Sequence, residues 1–295
     1  MSSDKSLRQS ATEMWCLGRY FPLLIGDLVS EDDEHWSNML TLCEIVDNIF
    51  GPKCSSKSLD HLDHLIRLFL TQFKTLYPDQ SIIPKMHYLI HYPSCMRRFG
   101  PLSRHWCMRF EAKNNYFKEM AHVIGNYKNI AKTLSLRHQR LSCYYLQGSQ
   151  IDLEFGKGRS FSVGCLEEKR LILETFTDYN EETAVIIYPW VKVRSQVYKP
   201  GYVLIKEIKD DVPQLCVIKL IIVSQDNTIY FIVDKLHNIE YCWHYHACYT
   251  INKEREITLI CKLSDFCDHH AYNFHQSFNS SLNNYYFIVQ KYLIF

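Results

Sequence analysis

Twelve cysteines are scattered along the chain without regular spacing, and no CxxC pair occurs anywhere. Met1 to Ser10 is polar, so no signal peptide is read at the start and no oxidising compartment is implied. The thiols therefore read as free and mostly packed. No apolar run approaches the roughly 20 residues a membrane span needs. A soluble protein of the nucleus or cytoplasm, with no membrane partner, is the expectation. The chain also has no internal repeat, no low-complexity tract and little net charge, formally +1. The overall charge by itself points to no partner.

What is present is ordinary in amount and uneven in placement. At 295 residues, 47% hydrophobic and 22% charged, the chain is long enough for one large or two ordinary domains with ample core. From Met1 to Gln80 there are 7 Lys and Arg against 12 Asp and Glu, whereas from Arg97 to Arg140 there are 10 against 2. A local positive field of that kind favours an anionic partner such as nucleic acid. The plain alternative is a solvated helix face.

Taken in order, a helix capped by Ser10 or Thr12 carries Met14, Leu17, Tyr20, Phe21, Leu24 and Leu28 at helical spacing, with Pro22 set to delay, kink or split it. Acidic residues 30–34 suit the start of a second helix, with Trp36, Leu40, Cys43, Val46 and Phe50 as its stripe and Gly51-Pro52 as its stop. A third is expected over Ser58 to Leu76, with Leu62, Leu65, Phe69 and Phe73 inward; its His61 and His64 read as solvated or as supporting neighbours rather than as ligands. Composition changes near Gln147. Residues 148–160 read as a linker, and β-branched and aromatic runs follow, with Asp226-Asn227 a candidate hairpin turn. The fold class predicted is α+β: an all-α domain over 1–147, then a small β-rich, barrel-like domain over 161–295. In that second half, His244 and His246 would share a side if they lay in a strand.

The stretch from Pro84 to Gln139 is the most site-like. His87 and His91, four apart, would share a helix face. A turn at Phe99-Gly100-Pro101 leads to Arg104, His105, Trp106 and Arg109, and then to Glu111, which opens a long helical pattern. Its candidate nucleic-acid contacts are Arg97, Arg98, Arg104, Arg109, Lys113, Lys118, Lys128 and Lys132.

MWCLGRYFPLLIGD, SEDDEHWSNMLTLCEIVD, PKMHYLIHYPSCMRRFGPL, HWCMRFEAKNNYFK and KNIAKTLSLRHQ together resemble the C-terminal part of animal CACTA-type (En/Spm-like) DDE transposases and host proteins derived from them. YKPGYVL and WHYHACY resemble the region that follows in such proteins. Asn114-Asn115 departs from the pattern, which has a histidine at one of these positions. The resemblance implies an RNase H-like core in which three carboxylates hold two metal ions, with Glu111 as the third acid. It also implies that His87 and His91 are the histidine half of a zinc site.

The inventory is then incomplete. The cysteine half of the zinc site is absent. No strand-like core precedes Glu111, and Asp27, Asp47, Asp60 and Asp63 all fall in or at helices. One carboxylate does not position two Mg²⁺ ions. The chain thus reads as a transposase-derived protein without a complete catalytic core, binding DNA or a protein partner. The alternatives are a truncated piece of an active metal-dependent transposase, completed by an upstream segment, and a protein-interaction module. A metalloprotease is disfavoured, because HxxxH here lacks the glutamate between its histidines.

Overall fold

The computed structural model describes residues 9–147, 153–209, 212–224, 228–253, 255–276, 282 and 284–291. Helix α1 spans Ala11–Ile25, and Ser10 caps it in a reciprocal pair with Glu13. Pro22 sits in its last turn without breaking it. Proline has no N–H to offer the carbonyl four residues back, that of Gly18; the Cys43 thiol donates to this oxygen instead, at 3.8 Å. Asp33 caps α2 (Glu34–Phe50) through the Trp36 N–H. Helix α3 spans Ser56–Leu76. Ile45 and Ile49 of α2 pack on Leu62, Leu65, Ile66 and Phe69 of α3, closed by Met96 from α5 (Tyr92–Phe99). The short α4 (Pro84–Leu89) precedes α5. Helices α6 (Cys107–Ile124) and α7 (Ile130–Leu146) complete the helical half.

The β half is antiparallel and confirms the α+β class. Strands β1 (Leu153–Phe155), β4 (Val191–Val193) and β5 (Gln196–Tyr198) form one small sheet. The main sheet is centred on β7 (Val212–Val223), flanked on one edge by β8 (Ile229–Leu236) and then β11 (Arg255–Lys262). The other edge of β7 is shared. Strand β6 (Val203–Lys209) pairs with residues 212–217, while β3 (Ala184–Ile187), followed by β2 (Arg159–Ser162), joins at Ile222. Two strands that leave the same edge at different heights splay the sheet, and among the described residues no sheet closes into a barrel. A third sheet orders β12 (Tyr285–Ile288), β10 (Ala247–Ile251) and β9 (Glu240–Cys242). The short helix α8 (Lys169–Thr175) sits beside β11.

Both faces of β7 are buried, which explains its nearly unbroken apolar run. Cys216 and Ile218 face one core with Leu204, Phe231 and Val233, while Leu215 and Val217 face another with Val203 and Ile205. A register shift between Ile218 and Leu220 then changes the parity, so that odd-numbered Ile221 joins the core of Cys216 and Ile218.

Residues 153–160 of the expected linker instead contribute β1 and the start of β2, paired with β4 and β3. Residues 148–152, the Asp226-Asn227 turn and the chain beyond Lys291 lie outside the described residues.

Candidate functional site

The cations expected to contact nucleic acid lie on α5, on the turn after it and on the α6–α7 pair. No residue of α7 is buried, and on α6 Phe110 is 65% and Val123 81% exposed. Gly125 ends α6 in the left-handed region (φ 61°), a conformation glycine adopts without a Cβ clash. Asn129, also left-handed, starts α7. Arg98, Arg104, Lys118, Lys128 and Lys132 are exposed. Lys113 is half-buried, its ammonium 4.7 Å from the Tyr116 ring centre. Arg98 lies 5.2 Å over Phe99. Arg97 is exposed but forms an ion pair with Asp60 of α3, so part of its charge is already answered. Arg109 belongs to α6, and its side chain lies outside the described residues.

His87 and His91 do approach each other, with ring centres 5.2 Å apart, but not on one helix face. His87 is on α4, and His91 is the residue before α5, because the chain turns between them and Pro93 opens the second helix. Both imidazoles are exposed. Two imidazoles are half of the four ligands a structural zinc site takes. Among the described residues no group of three or more His, Cys, Asp or Glu forms. Glu111 is exposed and lies in the second turn of α6; the helix begins earlier, at Cys107. Among the described residues Glu111 belongs to no group of three or more His, Cys, Asp or Glu that could hold a metal ion.

The most elaborate polar arrangement lies elsewhere, where α1 and α2 meet the third sheet. His246 is 6% exposed, with Nε2 2.9 Å from Asp47 Oδ2 and Nδ1 2.7 Å from the Tyr241 hydroxyl. Burial pushes the Asp47 carboxyl above its ordinary range, and the hydrogen bond and charge of His246 oppose that rise. Burial likewise pushes the Cys43 thiol, one turn before Asp47, up to about 12, so it is an unreactive packed thiol. Beside this pair the Trp36 indole donates to the His244 carbonyl at 3.2 Å, and His244 Nε2 donates to the Gly26 carbonyl at 2.8 Å. The Tyr245 hydroxyl donates to Asp27. Gly26 is needed here, since a Cβ would come within 2.8 Å of the Tyr245 ring. His244 and His246 therefore do not line one side of a strand. They belong to the tight turn between β9 and β10, where His246 has φ 49° and the two rings point to different helical partners.

The sequence reading placed Asp47 in a helix but gave it no role, and it passed over Tyr241 and Arg19. A signal was present in α2, where Asn38, Thr41, Glu44, Asp47 and Asn48 recur at three- and four-residue spacing and are all buried. Glu44 is answered at 2.9 Å by His61, whose side chain stays 47% exposed, in keeping with a solvated or supporting histidine. No family model, no curated protein and no solved structure matches the chain.

Proposed function

We propose that the chain is a transposase-derived, non-catalytic protein that binds duplex DNA through the cations of α5 to α7. The observation that supports this reading is the α6–α7 pair. Among the described residues none of its side chains is buried, and Lys118, Lys128, Lys132, Arg137 and Arg140 are exposed along it. Lysine and arginine on an exposed helix pair contact phosphates without reading sequence, and each contact releases counterions. In this reading Glu111 is a remnant acid, His87 and His91 are half of a former zinc site, and no strand-transfer step is assigned to the chain.

The test is duplex binding as a function of salt. With six or more phosphate contacts, affinity falls by roughly 10³ between about 50 and 200 mM salt. Reversing Lys118, Lys128 and Lys132 to Glu weakens binding to all sequences alike and reduces the salt slope by about one per lysine. Affinity that is flat with salt overturns the reading.

A second reading, a protein partner seated on the same pair, draws on the exposed Phe110, Val123, Tyr144, Tyr145 and Leu146. Partner binding that survives the triple reversal and is lost on replacing Tyr144 and Tyr145 by Ser selects it over DNA.

A further inference from the structure

Between α1 and α2 lies a cavity of about 590 Å³, within the size range of small-molecule sites. Met14, Leu17, Phe21, Leu42, Val46 and Phe50 give it apolar walls, and Arg19, Asp47 and His246 bring polar groups to it. Three observations mark it as a built site rather than a packing fault.

The first is an unanswered donor. Trp15 lines the cavity, and its indole Nε1 is buried with no hydrogen-bond partner among the described residues. An indole N–H can only donate, and buried polar groups in native proteins are nearly always answered. Nε1 has no accessible surface as the side chains stand, so a ligand oxygen reaches it only when the indole turns toward the cavity.

The second is a pair of cations on that same ring. The Arg19 guanidinium lies 5.4 Å and the Lys291 ammonium 5.7 Å from the Trp15 ring centre. Arg19 is held in place by donating from Nε to the Gln290 carbonyl at 3.3 Å and from Nη2 to the Val289 carbonyl at 3.5 Å. Burial, with the charge of Arg19 added, holds the Lys291 amine below its ordinary range. An anion beside Trp15 would offset these two like charges further, beyond what the charge of Asp268 already does at Lys291. Asp47, on which the charge of Arg19 acts, fills that role only in part. It is committed to His246 at 2.9 Å, where burial raises its pKa and the hydrogen bond and charge of His246 and the charge of Arg19 oppose the rise.

The third is Gly18 on the cavity wall, where a Cβ would meet nothing within 4 Å. Neither the fold of α1 nor its packing requires glycine there, since alanine is better by roughly 1 kcal/mol at a helix interior position.

We infer that the cavity binds an apolar monocarboxylate, with its hydrocarbon part among the six apolar side chains and its carboxylate accepting from Arg19 and, once the indole has turned, from Trp15 Nε1. This site is separate from the cationic face of α5 to α7 and does not depend on the DNA-binding reading.

Calorimetric titration of the full chain with dodecanoate and with dodecan-1-ol, each below its aggregation limit, tests this. One-to-one binding of dodecanoate is expected, with the alcohol about tenfold or more weaker because it lacks the charge-assisted bonds. Gly18→Leu fills the open wall and is expected to abolish binding without lowering Tm. Arg19→Gln keeps the cavity and is expected to erase the preference for acid over alcohol, which tests the assignment even if Gly18→Leu does not fold. Absence of dodecanoate binding, equal affinity for the two compounds, unchanged binding in Gly18→Leu, or a preference that persists in Arg19→Gln each overturns it.

Discussion

At the junction of α2 with the β9–β10 turn, a buried histidine and aspartate and a partly exposed tyrosine are hydrogen-bonded in line. From α4 to α7, histidines, two acids and many cations are spread over a largely exposed surface. In sequence the second region looks more like a site, because its polar residues are contiguous. In space the first is the more organised, because residues 199 positions apart meet there. Density along the chain reports local charge, which acts at long range on a partner. Convergence from distant elements produces desolvated groups with fixed partners, which is what shifts pKa values and fixes geometry.

Mutations that contrast the two regions sharpen this difference. The largest effect is expected from Asp47→Ala, which leaves His246 buried against a lost partner and should cost about 3–5 kcal/mol in urea unfolding. A cost below about 1 kcal/mol would mean that the pair is solvated and the junction loose. Phe69→Ala, in the α2–α3 core, should cost a similar 3–5 kcal/mol. Its counterpart on the open pair, Phe110→Ala, should stay within about 0.5 kcal/mol. A large loss at Phe110 would show that α6 is covered in solution. Between these extremes, Ser10→Ala removes the cap of α1 and should cost about 1 kcal/mol, read as a matching drop in stability with α1 still docked.

The smallest effect concerns pH. Burial, reinforced by the charge of Arg19, holds His275 below the ordinary imidazole range, with its ring 5.2 Å from that of Tyr20 on α1. A base whose folded pKa is depressed binds protons more readily unfolded, so its share of stability is present above the ordinary imidazole pKa and is lost as pH falls through the folded value. The Tm should therefore decline on moving from about pH 7 to below pH 6, and less steeply in His275→Gln. Parallel curves for the two proteins would show that His275 is solvated in the folded state.

Much of the fold was legible because its elements are built from local patterns. The Ser10 and Asp33 caps, the 3.6-residue stripes of α1, α2 and α3, and the stop at Gly51 are matters of neighbouring residues. So are the apolar runs that became β3, β6, β7, β8, β10 and β11. The short β1, β4, β5 and β9 were not legible, since three residues carry no measurable period and are held as strands only by their partners. The one-face arrangement expected for His87 and His91 failed for a local reason, a turn between two short helices that begin with Pro84 and Tyr92-Pro93.

By itself the sequence determined the succession of helices then strands, the helix caps and the uneven charge, because each depends on residues within a few positions of one another. Only the tertiary structure decided which edges of β7 were paired, that among the described residues the sheets stayed open, and that Tyr241 met the buried Asp47 and His246 beside a cavity at Trp15 and Arg19. Burial and pairing are properties of distant surfaces brought together, and a polar side chain carries no local mark of whether another element will cover it.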